Sequence, residues 1–156
     1  MGAAHRHRLS KKATYVRQSY PFALSWLIKP LKIAVLYKGY KAMTELIEKK
    51  SRFIAYSAEI ANEDEAKAMI ERLKKEHKRS NHAVYAYVIA GKEKFSDDGE
   101  PRGTAGLPVL NAIKRRGLDN VIVVVVRYFG GVLLGKGGLM RAYGKAAGRE
   151  LDKIDS

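Results

Sequence analysis

The chain has 156 residues, the size of one domain on a scale of roughly 100 to 200 residues per domain, and its 46% apolar and 29% charged residues suit a folded globular protein. The absence of cysteine excludes disulfides, thiolate metal sites, iron–sulfur clusters and a cysteine nucleophile, leaving His, Asp and Glu as the available metal ligands. Thirty Lys and Arg against 16 Asp and Glu give a net charge of +14, which favours nucleic acid, ribosomes or other anionic surfaces as partners.

Half of that charge sits in residues 1–36, where Arg6, Arg8, Lys11, Lys12, Arg17, Lys29 and Lys32 meet no acidic residue. This basic leader has little regular pattern and is expected to lie outside the domain, as an arm, a targeting segment or an upstream start. His5 and His7 fall within it and are given no role. The domain is expected over 37–156. No apolar run approaches the roughly 20 residues that span a bilayer, so the expected location is cytoplasmic, with no membrane partner.

Two short strands are predicted over Glu45 to Glu48 and Arg52 to Ile60, since Ile54, Tyr56, Ala58 and Ile60 alternate as on a half-buried strand. Asn62 with Glu65 forms a capping-box-like start, and Ala66, Met69, Ile70 and Leu73 follow at helical spacing, predicting a helix over Glu63 to Arg79. Val84 to Ile89 reads as a third strand, with Tyr85 and Tyr87 on one face and Val84, Ala86 and Val88 on the other. A loop from Ser96 to Gly106 precedes a short helix through Val109, Leu110 and Ile113, closed by Gly117 as a left-handed cap. Val121 to Val126 is an unbroken β-branched run, the pattern of a strand covered on both faces at the sheet centre. Tyr143, Ala147, Leu151 and Ile154 predict a last helix from about Gly138. The order β-β-α-β-α-β-α implies an α/β (α+β) two-layer sandwich.

Eleven of the 14 glycines follow Gly91, most of them in two clusters. Gly130, Gly131, Gly135, Gly137 and Gly138 lie between the predicted central strand and the last helix, bracketed by Arg127, Lys136 and Arg141. Backbone N–H groups near a helix start, with an Arg fork and a Lys point charge, suit a phosphate or a nucleic-acid backbone. Glycines that merely form tight turns among solvated cations fit the same pattern. Gly130 to Lys136 also matches G-x-x-x-x-G-K, but Gly137 stands where a P-loop needs the Ser or Thr that holds magnesium.

The first cluster runs from Ser96 through Asp97, Asp98, Gly99, Glu100, Pro101, Arg102, Gly103, Thr104 and Ala105 to Gly106. Its three carboxylates could share a metal or divide acid and base roles, with His82 as a further ligand or base. Alternatively, Asp97 and Asp98 make turn hydrogen bonds while Glu100 pairs with Arg102 or Arg127. Tyr85, Tyr87, Tyr128, Phe129 and Tyr143 could stack on bases, Tyr85 and Tyr87 being better placed for it than Phe129. Lys114, Arg115 and Arg116 end the second helix, where cations meet the dipole favourably.

Lys50-Ser51-Arg52-Phe53-Ile54-Ala55, Asn81-His82, Asp97-Asp98-Gly99-Glu100-Pro101 with Gly103-Thr104-Ala105-Gly106, and Arg127-Tyr128-Phe129-Gly130-Gly131 through Arg141-Ala142-Tyr143-Gly144 carry a resemblance. The chain resembles the YigZ/IMPACT N-terminal family (UPF0029, Impact N-terminal domain) from about Tyr37 to Leu151. The resemblance implies a ribosomal protein S-five domain-two-like sandwich with a left-handed β-α-β crossover. It implies a non-enzymatic regulatory protein of translation, since eukaryotic IMPACT members act there, with RNA, the ribosome or a translation-regulatory protein as partner. The family's ferredoxin-like C-terminal domain and RWD domain are expected to be absent. Arg102 and Lys136 depart from the small or hydroxyl residues common in the family, adding charge beside both motifs.

The expected RNA or phosphate contacts are therefore Arg127, Gly130, Gly131, Gly135, Lys136, Gly137, Gly138 and Arg141. His82, Asp97, Asp98, Glu100, Arg102 and Thr104 are expected to form an adjoining cleft wall. No cofactor and no metal are expected. The alternative is an enzyme acting on a small phosphorylated or carboxylated substrate through Asp97, Asp98, Glu100 and His82.

Overall fold

A computed structural model describes residues 43–153, so the leader and its histidines lie outside the described residues. Strands β1 (Met43–Glu48) and β2 (Ser51–Glu59) form a hairpin, followed by helix α1 (Glu63–Glu76), strands β3 (His82–Ile89) and β4 (Lys92–Ser96), helix α2 (Gly106–Arg115), strand β5 (Val121–Tyr128) and helix α3 (Gly135–Asp152). The five strands lie in the order β1-β2-β5-β3-β4, and every neighbouring pair is antiparallel. The Val121 to Val126 run is thus the central strand, as its unbroken β-branched pattern requires.

The mixed α/β class holds, but both faces of the sheet are covered. Phe53, Ala55, Val84, Ala86, Val121, Val123 and Val125 pack on α2 and α3. Ile54, Tyr56, Ala83, Tyr87, Ile122, Val124 and Val126 pack on Ala66, Met69, Ile70 and Leu73 of α1. The expected two layers therefore gain a third, α1, because alternate residues of the central strands are apolar on both sides. Strand β4 was not apparent in the sequence. It is a polar strand, Lys-Glu-Lys-Phe-Ser, paired among the described residues only with β3, and charged residues of this kind blunt a sheet edge.

The topology fixes a handedness. β2 and β3 are parallel to each other with β5 between them, and they are joined by α1 on one face. β4 and β5 are likewise parallel, with β3 between them, and they are joined by α2 on the other face. A half-turn about the sheet normal superposes the two paths but leaves their helices on opposite faces, so the crossovers have opposite hands. One of them is therefore left-handed, an arrangement that isolated parallel units rarely adopt.

Local signals set the element ends. Asn62 accepts the Glu65 N–H and caps α1, which ends at Glu76, three residues short of the expected Arg79, with His77 as its C-cap. Gly117 takes the left-handed conformation at φ +61° after α2. Helix α3 begins at Gly135, three residues before Gly138, and is tied to the hairpin by Glu150, whose carboxylate accepts hydrogen bonds from Thr44 (2.7 Å) and Ser57 (3.0 Å).

Burial raises the Glu150 pKa above its ordinary value, against the opposing pull of these hydroxyls. A carboxyl with a raised folded pKa binds its proton more tightly in the folded state, so stability falls as pH rises from the unfolded to the folded pKa. Urea titrations across pH should show Glu150→Gln free of this loss: the variant gains on the parent from the ordinary carboxyl range upward, and the gain levels off above the raised pKa.

Candidate functional site

Arg127 is the penultimate residue of the central strand, in register with Phe53 of β2 and His82 of β3. The residue is only 5% exposed, and its guanidinium donates from Nη1 to Glu100 Oε1 at 2.7 Å and from Nη2 to Ser51 Oγ at 3.3 Å. The rings of Phe53 and Phe129 lie 5.5 and 5.6 Å from its Cζ. Tyr143 of α3 donates to the same Glu100 oxygen at 2.6 Å, and burial followed by that bond raises the Tyr143 pKa, so the phenol stays protonated. The expectation that Arg127 meets phosphate is therefore corrected: Glu100 neutralises it inside the protein. Among the described residues its Nε is the one buried side-chain polar atom without a partner.

The carboxylate loop is largely consumed by structure. Asp97 Oδ1 accepts the N–H groups of Ala105 and Gly106, and Oδ2 that of Gly103. It thereby supplies the anion at the start of α2 that Ala105 cannot provide as a cap. Asp98 accepts the Ala83 N–H at 2.7 Å and pairs with Lys74 at 3.3 Å, while Thr104 donates to the Pro101 carbonyl. His82, whose side chain is partly exposed, has Nδ1 2.8 Å from the Asp98 carbonyl oxygen. A carbonyl only accepts, so Nδ1 carries the proton and Nε2 faces Glu100 Oε1 at 3.6 Å. Arg102 is exposed. His82 stands beside both Asp98 and Glu100, but among the described residues no three His, Asp or Glu side chains converge as a metal site requires.

The glycines serve the chain's own path. A Cβ at Gly130 would stand 2.0 Å from the Lys50 carbonyl oxygen, so glycine lets the hairpin turn press on this loop, and the Gly130 N–H reaches Ser51 Oγ at 3.3 Å. Gly131 and Gly135 hold positive φ, whereas Gly137 and Gly138 lie in the first turn of α3. The loop tip is apolar, with Leu133 81% exposed beside exposed Val132 and Phe129. Lys136 and Arg141 remain at the surface. Arg141, Lys49 and Lys145 meet around a hollow of about 190 Å³ that Gly138 also lines, with Glu48 the one carboxylate on its wall. Tyr87 and Tyr143 are buried, so of the aromatic residues Phe129 is more open than the two preferred for stacking.

Sequence reasoning missed Ser51 as the joint between Arg127 and Gly130, because a buried serine leaves no pattern. It also missed the row Arg141, Lys145 and Arg149, whose spacing of four was legible as one helical stripe.

The Impact N-terminal domain model matches residues 49–151, more than half of the chain. The protein belongs to the IMPACT family. It is 46% identical over 113 residues to the IMPACT family member YvyE of Bacillus subtilis, covering 70% of this chain and 52% of that protein. To the IMPACT family member YigZ of Escherichia coli it is 38% identical over 135 residues, covering 83% and 62%. A crystal structure of a hypothetical protein superposes with a TM-score of 0.69 at 40% identity, over 71% of this chain and 56% of that one. The chain thus spans between half and two thirds of the length of these relatives. No helix among the described residues is long and apolar enough to cross a membrane.

Removing one partner of a buried ion pair costs about 3–5 kcal/mol, because the remaining charge is stranded. Glu100→Gln should lower unfolding free energy by about that amount in urea titration, whereas Tyr143→Phe, which removes a single hydrogen bond, should cost about 1–3 kcal/mol.

Proposed function

We propose that this IMPACT-family protein regulates translation by binding, and that RNA phosphate is held at the hollow between the β1–β2 turn and the start of α3. The observation that carries this reading is the turn itself. Lys49 and Lys50 both hold positive φ, +44° and +67°, in a two-residue hairpin turn that normally selects Asn-Gly. A left-handed conformation costs a residue other than glycine about 1–2 kcal/mol, so two lysines there favour charge over backbone comfort.

Lys50 rests against Gly130 of the glycine-rich loop, Lys49 lines the hollow together with Arg141 and Lys145, and Lys136 lies one residue into α3. The cluster answers to sequence-independent phosphate contact better than to base reading, since the aromatic residues nearby are mostly buried. The translation assignment rests on the family, whose eukaryotic IMPACT members act there. The ribosome would present such RNA, and the expected setting is cytoplasmic.

For single-stranded RNA, each lost phosphate contact lowers the log–log salt slope by about 0.7. Fluorescence-anisotropy titration of labelled ribosomal RNA fragments with the full chain should therefore show the slope of Lys49→Ala/Lys136→Ala/Arg141→Ala shallower by about 2, with affinity falling uniformly across sequences. An unchanged slope would assign RNA binding to other cations, such as those of residues 1–36.

A further inference from the structure

The outer face of the α2–α3 pair carries a groove of about 670 Å³, separate from the loop contacts above. Pro108 and Ala112 from α2 and Gly144 and Gly148 from α3, each pair at a spacing of four, form its floor, and the exposed Met140 of α3 lines it beside them. The neighbouring rows raise cations along it, Arg115 on α2 and Arg141, Lys145 and Arg149 on α3. None of these four has a carboxylate partner among the described residues. Arg116 closes one end, donating to the Ala112 and Gly148 carbonyl oxygens and to Asp152, the one acidic residue of the lining.

We infer that this groove docks an acidic amphipathic helix of a partner protein. Its α3 side runs from Met140 to Asp152, about 18 Å at 1.5 Å per residue, which suits just over three turns of helix. Glycine and alanine at the floor allow the close axial approach of packed helices, and an apolar stripe flanked by Glu or Asp would meet the Arg and Lys rims. RNA is served less well, because the groove offers no aromatic platform for bases and its floor is apolar rather than hydrogen-bonding. The chain's own leader is excluded by charge, carrying seven cations and no acid, and a second copy at +14 is disfavoured for the same reason. This inference goes beyond the RNA reading and uses a different surface, although Arg141 and Lys145 border both.

The test is anisotropy titration of the full chain with a labelled 16-residue helical peptide bearing Leu and Ala at i, i+3, i+4 and i+7 and Glu at the flanking positions. A peptide with Lys replacing Glu is the control. Binding of the acidic peptide alone is expected. Gly144→Leu should fill the floor and weaken it at least about tenfold, the effect of losing roughly 1.4 kcal/mol of contact. The fold should survive, since a Cβ at Gly144 meets only Pro108 at an ordinary 3.7 Å, and melting temperature checks this. The same variant should leave RNA affinity within about twofold, because phosphate binding depends on charge and not on the floor.

As a second variant, Arg115→Glu/Arg149→Glu should abolish acidic-peptide binding and admit the Lys peptide. Equal binding of both peptides, no binding of the acidic peptide, or indifference to Gly144→Leu would each overturn the proposal. Loss of RNA binding on Gly144→Leu would reassign the groove to nucleic acid.

Discussion

The ion pair between Arg127 and Glu100 joins four separate pieces of chain. Arg127 comes from the central strand, Glu100 from the loop before α2, Tyr143 from α3, and Ser51 from the hairpin turn. Placing a guanidinium in the interior carries a desolvation cost that only close, multiple partners offset. The two phenyl rings beside it, the buried carboxylate and the serine hydroxyl supply those partners. Once they are in place, the two motif loops and the glycine-rich segment must adopt one mutual arrangement. The motif residues that resemble an active centre are thus mainly a structural junction, and the exposed chemistry lies around it.

The central strand is the second constraint. Its apolar residues face both ways, so the sheet needs helices on both sides, and a single chain meets that need by running two crossovers in opposite directions. The result brings the N-terminal ends of α2 and α3 to the same end of the sheet as Arg127. Asp97 satisfies the first of these ends from within. The second has no capping side chain of its own and opens beside Lys49, Arg141 and Lys145. That asymmetry distinguishes a loop already filled by its own carboxylate from one whose three cations form no ion pair among the described residues, although Glu48 stands on the same hollow.

Two surfaces therefore share α3. At its start, Lys49, held in an uncomfortable turn, joins Arg141 and Lys145 around a small hollow, a geometry suited to phosphate. Farther along, glycines lower the floor between α2 and α3 while cations border it, a geometry suited to an acidic helix. Arg141 and Lys145 stand between the two, so ligands at both surfaces would compete for the same charges. Competition of this kind is a physical means by which a small binding domain can regulate rather than merely associate.

Much of this was legible in the residues. Alternation and helical spacing marked the two early strands, α1 and the core of α2, and the valine run announced the central strand because no other element tolerates apolar groups on both faces. The motif residues carried the family. Strand β4 escaped because a solvated edge needs no apolar pattern, and the third layer escaped because periodicity shows that a face is covered but not by what. The role of Arg127 escaped for a related reason: a charged residue near the end of a strand looks the same in sequence whether it faces water or a carboxylate 27 positions away. Sequence by itself determined the elements, the apolar faces and the excess of positive charge, since these follow from local chemistry. Tertiary structure decided which cations were neutralised and which stayed exposed, because that depends on partners brought together from distant parts of the chain.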